Sequence, residues 1–327
     1  MAHNDRTGRR EFITQISAVA ATGALALSRA EAAPSESAAA PAAAVPALPS
    51  LQLGPHRISR LVCGWNPIEG YSHATRDLSN GMREWFTLDR TVALLEDCMR
   101  NGITAWQYDH KPHAVETLRK LWDKGIEPKV FCLHAEREQD APLPTVIRET
   151  KPFAISHHGG VTDAKFREGK SQEVRDFVKK VKDQGLLAAV SSHKPDNIKR
   201  MVDEGWENDF FMCCFYCLTR PRDEMQKKLG MVPVGEPMFE SDRTEMTAIM
   251  RQVPKPCLGF KVLAAGRHCW SQKEVAEQFQ YAFANIKPID GLIVGMFPRY
   301  FNQVRDNAGH ARKYGAVPTP GAAERQS

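Results

Sequence analysis

Lys151-Pro152-Phe153-Ala154-Ile155-Ser156-His157-His158-Gly159-Gly160 decides how this chain folds. An apolar run, Phe153 to Ile155, stops at a serine, two adjacent histidines and two glycines. A short apolar run bounded by proline and glycine reads as a buried strand. Polar side chains gathered just past its C-terminal end sit where parallel α/β architectures keep their chemistry. Four further segments repeat the arrangement. Ala105–Gln107 runs into Tyr108, Asp109 and His110; Lys129–Leu133 into His134 and Glu136; Leu186–Val190 into Ser191, Ser192 and His193; Phe210–Phe215 into Tyr216 and Cys217. Five successive strands thus deliver reactive side chains at one end, and a single converging pocket is expected.

Working outward, strand alternates with helix. Strands are expected at Ile58–Cys63, Ile103–Gln107, Pro128–Leu133, Phe153–Ser156, Leu186–Ser191, Phe210–Phe215, Cys257–Val262 and Gly291–Val294. Amphipathic helices fill the gaps, with Val174, Phe177, Val178 and Val181 making one face of 171–184. Glycines 102, 125, 185 and 205 stand where helices should stop. Residues 219–240 read as one long polar loop. Strand then helix, eight times with short connections, predicts an α/β fold, the (β/α)8 TIM barrel, over residues 51–316. No G-x-G-x-x-G or P-loop occurs that would favour an open doubly wound sheet.

The ends of the chain read differently. Arg9-Arg10-Glu11-Phe12-Ile13, an alanine-rich run and Ala30-Glu31-Ala32 fit a twin-arginine (Tat-type) signal over residues 1–32. The expectation is export to the periplasm or beyond by the Tat machinery, without a stable membrane span. Residues 33–50 read as an Ala/Pro linker and 317–327 as a loose tail. The net charge of +5 is spread without a Lys/Arg block, so nucleic acid is not expected as a partner; a small-molecule substrate is. Eight cysteines show no disulfide spacing and are expected to be buried free thiols.

With these elements placed, residues 58–314 resemble the aldo-keto reductase superfamily. The resemblance rests on Ile58-Ser59-Arg60-Leu61 before Gly64, Val190-Ser191-Ser192-His193-x-Pro195, Gly259-Phe260-Lys261-Val262-Leu263 with Gly266, and Val294-Gly295-Met296 with Asn307 beyond. It implies an oxidoreductase acting on a small polar carbonyl compound such as a sugar, with NADP(H) as cofactor. The family's strand-four histidine is matched by His157. Gln107 stands where its aspartate should be, Pro112 near its tyrosine, and His134 in place of its lysine. Three of four catalytic positions therefore depart from the pattern, and Tyr108 is the substitute proton donor. The resemblance places Ser191, Ser192, Lys261, Arg299, Gln303 and Asn307 around the cofactor.

Chemistry alone offers a second reading. His110, His134, His157 and His193, at strand ends, form a candidate set for a divalent metal (Zn, Mn or Fe) serving a hydrolase, isomerase or lyase. A third is a non-catalytic carbohydrate-binding barrel with Trp65, Trp85, Phe215 and Tyr216 as stacking platforms.

Overall fold

The computed structural model describes residues 47–317. The readings made for residues 1–32, for most of 33–50 and for 318–327 lie outside them. Eight parallel strands close into a barrel: β3 (Leu61–Gly64), β4 (Ala105–Asp109), β5 (Lys129–His134), β6 (Ala154–His157), β7 (Leu187–Ser192), β8 (Phe210–Cys214), β9 (Cys257–Phe260) and β10 (Gly291–Gly295). They follow one another in chain order, and β10 closes the ring by pairing with both β9 and β3. Among the described residues eleven α-helices surround or cap it: α1 (Arg76–Trp85), α2 (Leu88–Arg100), α3 (Pro112–Asp123), α4 (Leu143–Thr150), α5 (Gly159–Arg167), α6 (Ser171–Asp183), α7 (Pro195–Asp203), α8 (Arg222–Leu229), α9 (Glu240–Gln252), α10 (Gln272–Asn285) and α11 (Gln303–Tyr314). The expected (β/α)8 TIM barrel is what forms. Among the described residues no helix is long and apolar enough to cross a membrane. All eight cysteines are free, and Cys269 alone is exposed.

The expected first strand, Ile58–Cys63, is two strands. β1 (Ser50–Leu53) and β2 (His56–Ser59) form an antiparallel hairpin, and β3 begins after Arg60. Hairpin residues Leu51, Leu53 and Ile58 join Val62, Phe131, Ala154, Phe210 and Leu258 in one buried cluster, so the hairpin plugs the N-terminal end of the barrel. The other strand residues, including Trp106, Cys132, Ile155, Val190 and Phe211, pack with the helices in a second cluster. Neighbouring strand residues thus alternate between barrel interior and helix layer. Helix ends match expectation, and Gly102 (φ +83°) takes the left-handed turn that stops α2. Three helices were not expected: α1, α5 and α8, the last inside the long loop read at 219–240.

Arg60 interrupts the first run because its side chain is committed elsewhere. It is 3% exposed and donates to the carbonyls of Asp290 (2.7 Å), Gly315 (2.7 Å) and Lys287 (2.9 Å). Burial lowers its pKa to about 10, against the opposing pull of Asp290, so it stays charged at neutral pH. One guanidinium ties the start of β3 to the connection before β10 and to the end of α11. Arg60→Met leaves three carbonyls without this donor and should cost roughly 3 kcal/mol or more, read as a drop in the urea midpoint at pH 7. An unchanged midpoint would show that the barrel closes without this tie.

Candidate functional site

The C-terminal ends of the strands open into a cavity of about 650 Å³. Its walls include Gln107 and Asp109 from β4, Leu133 from β5, Ser191 from β7, Met212 from β8 and Phe260 from β9. The register explains this membership. Gln107 and Asp109 share a strand face with Ala105, Leu133 with Phe131, and Ser191 with Ala189, all residues of the interior cluster. His158, just past β6, falls on the same face as Ala154 and lines the cavity too.

Tyr108, His134 and His157 take the opposite phase and face the helices. Tyr108 donates to Thr150 of α4, tilts against Trp106 at 5.3 Å, and burial pushes its hydroxyl pKa far above the usual value. It is unsuited to donating a proton in the mouth. His134 stacks on Phe177 of α6 at 5.8 Å; its Nε2 donates to the Ala141 carbonyl and its Nδ1 accepts from the Glu136 N–H. His157 meets the same ring edge-on at 5.0 Å and hydrogen-bonds Thr162 at 2.7 Å. Burial, then the neighbouring His158 and His134, lower its pKa to about 3. His110 pairs with Glu149 at 3.0 Å. The four histidines proposed as metal ligands therefore do not converge, and these residues do not fit a metal centre. Among the described residues no group of three or more His, Cys, Asp or Glu side chains is placed to hold one.

Of the residues assigned to a cofactor, Ser191, Lys261, Gln303 and Asn307 line the cavity. Ser192 turns the other way, to Asp163, and Arg299 lies over the ring of Tyr300. Trp65, Phe215 and Tyr216 are buried core residues, and Trp85 packs against Phe86 and Phe297. Of the four, Trp65 lines the cavity, and it is fully buried.

Asp163, on the unexpected helix α5, organises the mouth. Its buried carboxylate accepts from Ser192 Oγ (2.5 Å), Thr219 Oγ1 (2.8 Å), His193 Nδ1 (2.9 Å), Asn197 Nδ2 (2.9 Å) and the His193 N–H (3.1 Å). Burial alone would raise its pKa; the bonds from His193, Ser192 and Thr219 outweigh it and hold the pKa below normal. An ionised carboxylate has no proton to give, so His193 carries its proton on Nδ1. Nε2 makes no hydrogen bond among the described residues, and the ring lines the cavity. Burial lowers the His193 pKa more than Asp163 raises it, so the ring is neutral at pH 7.

Across the cavity, burial raises Asp109 to about 6 against the pull of Arg137 and Lys111. Arg137 is held by Asp140 (Nη2–Oδ1 2.8 Å). His158 falls to about 4 through burial and the charges of Arg137, His193 and Lys261, and its Nδ1 is buried without a partner. His73, on the loop after β3, donates to Glu236 at 2.7 Å and accepts from Asn66 at 3.1 Å, joining two loops over the mouth. Of six non-glycine residues with positive φ among those described, five (His73, Glu136, Lys261, Ala264 and Ala265) lie on loops at this end. Such strain concentrates where a site is pre-organised.

Asp163, His158, Arg137 and Glu236 were not among the residues expected to act. Helix α5 begins at Gly159-Gly160, within the His-His-Gly-Gly stretch, where two glycines read as a turn. A strict two-residue alternation from Ala154 would have selected His158 over His157, and one from Ala105 would have selected Asp109 over Tyr108.

Neither a family model nor a curated relative matches the sequence. Among solved structures, the crystal structure of Gox0644 in its apo form aligns at 11% identity with a TM-score of 0.50, over 84% of this chain and 97% of its own. Dihydropteroate synthase from Xanthomonas albilineans, in complex with 7,8-dihydropteroate, aligns at 10% identity and 0.44, over 83% and 100%. The Yersinia pestis dihydropteroate synthase with a sulfonamide drug aligns at 9% and 0.44, over 80% and 96%. At these identities the likeness to Gox0644 speaks for the fold alone. Tyr108, expected as the proton donor, and His157, expected as the matched strand-four histidine, both face away from the mouth. The expected membership of the aldo-keto reductases is corrected on that ground, and the NADP(H) assignment, which rested on it, is left without support. Nothing in these comparisons supports Tat export either.

The buried histidines set how stability responds to pH. An unfolded chain protonates His157 and His158 near pH 6.5, whereas the folded chain protonates them only near 3 and 4. Their contribution is present above pH 6.5 and is lost as pH falls. Asp109 works in the opposite sense, because the folded chain takes up that proton near pH 6 and the unfolded chain only near 3.8. The urea midpoint should fall between pH 6.5 and 4.5. Asp109→Asn should steepen the fall and His157→Gln should flatten it, each by about one proton.

Proposed function

We propose that this chain is a (β/α)8-barrel enzyme moving a proton on a small polar carbonyl compound, as an isomerase or lyase. The reading is carried by one observation: the imidazole of His193, its Nδ1 fixed by buried Asp163, presents Nε2 to the cavity. A neutral imidazole whose far nitrogen is held by a carboxylate is a competent general base. His193 would take a proton from the carbon beside the carbonyl, the C–H electron pair passing to the carbonyl oxygen. Asp163 is the positioning residue: it stabilises the imidazolium so formed. The charges of Lys261 and Arg137, on the cavity wall, favour the resulting enolate. Asp109, raised to about 6, is placed in pKa to return a proton, either to a neighbouring carbon or to a leaving group.

Two measurements follow. In D2O, a carbonyl compound accepted by the enzyme should exchange its α-hydrogen for deuterium, seen by mass spectrometry, and His193→Ala should slow exchange roughly 10²- to 10⁴-fold. Exchange at the wild-type rate in that variant would remove His193 from the reaction. The base needs pH above the lowered value of His193 and the acid needs pH below about 6. kcat/KM should therefore decline as pH rises past about 6, and Asp109→Asn should abolish that decline along with most activity.

A further inference from the structure

Gly159, the first residue of α5, lines the cavity beside His158. His158 is the helix's N-cap residue but makes no side-chain capping bond. The N–H groups of Gly159, Gly160 and Val161 find no acceptor among the described residues. Three free N–H groups at the positive end of a nine-residue helix favour an anion.

An independent observation points to the same place. Ser191 is 2% exposed, lines the cavity, and its hydroxyl has no partner among the described residues. Its Oγ lies 2.8 Å from where a Cβ on Gly159 would stand, and Cε1 of His193 lies 3.1 Å from that point. Glycine at 159 is what lets the hydroxyl and the imidazole ride against the helix start. In the same cavity Gln107, 4% exposed, has an Nε2 without a partner. The three N–H groups, the Ser191 hydroxyl and Gln107 Nε2 can all donate, so an acceptor is the partner that satisfies them together.

Charge narrows its class. Arg137 is engaged by Asp140, while Lys261 has no carboxylate partner among the described residues. One uncompensated cation matches a monoanion better than a phosphate dianion. We propose that the first turn of α5, with Ser191, holds the carboxylate of the substrate, so that the enzyme acts on a small organic acid. This rests on the reading of His193 as the base: a carboxylate seated there brings the adjoining carbon beside the imidazole.

The test is thermal denaturation of the full chain against rising pyruvate and lactate, with pyruvamide and lactamide as uncharged matches and inorganic phosphate as the dianion. The two acids should raise the midpoint in proportion to dose and the amides should not. Ser191→Ala should weaken the acids roughly 10-fold, the worth of one hydrogen bond to a charged group. Gly159→Ala, which forces a methyl against Ser191 and His193, should weaken them at least as much with an unchanged circular dichroism spectrum. Should that variant not fold, Ser191→Ala decides. Amides stabilising as well as acids, phosphate binding more tightly than both, no response to any acid, or an unaltered Ser191→Ala each overturn the proposal. His193→Ala keeps the two readings apart. If acids bind and that variant still exchanges deuterium, the base assignment fails alone. If acids do not bind yet exchange requires His193, the carboxylate site fails alone.

Discussion

In a closed barrel of parallel strands a side chain has two destinations, the interior or the helix layer, and a shift of one residue exchanges them. That constraint governs everything at the mouth of this protein. Asp109 and Tyr108 are neighbours in the chain, yet one lines the cavity and the other bonds Thr150 of α4. The same holds for His158 and His157, and for Ser191 and Ser192. Which member of each pair meets a substrate is settled by the phase set lower in the strand, where Ala105, Ala154 and Ala189 pack inside.

Order and spacing of strands and helices were legible because hydrophobic runs, amphipathic faces and helix-stopping glycines are local signals. Phase was not. Strands of a barrel are covered on both faces, so Phe153-Ala154-Ile155 and Phe210-Phe211-Met212 are apolar throughout and show no alternation. The choice of Tyr108, His134 and His157 follows directly from that blindness. Helix α5 was missed because Gly159-Gly160 reads as a turn; here the two glycines begin a helix. Arg60 hid the division between hairpin and barrel, since a buried arginine bonded to three distant carbonyls leaves no local signature.

Asp163 shows what the extra helix contributes. A carboxylate receiving five hydrogen bonds is fixed in position and charge, and it fixes in turn the loop after β7, Thr219 after β8 and the tautomer of His193. The neighbouring loops are held by comparable devices: Asp140 binds Arg137 and the Ala135 N–H, and His73 joins Glu236 and Asn66. Lys261 adopts a left-handed backbone at φ +59° beside them. A rigid floor with strained, cross-linked walls is the arrangement expected of a site whose groups must be in place before substrate arrives.

The central claim is that Asp163 holds the proton of His193 on Nδ1 while burial keeps the ring neutral. Long-range nitrogen–proton NMR on protein labelled with ¹⁵N in histidine reads this directly, with His193→Ala providing the assignment. At pH 7 His193 should show a protonated Nδ1 and an unprotonated Nε2, and it should gain its second proton only below pH 6.5. An Nε2–H tautomer, or an imidazolium at pH 7, would contradict the account.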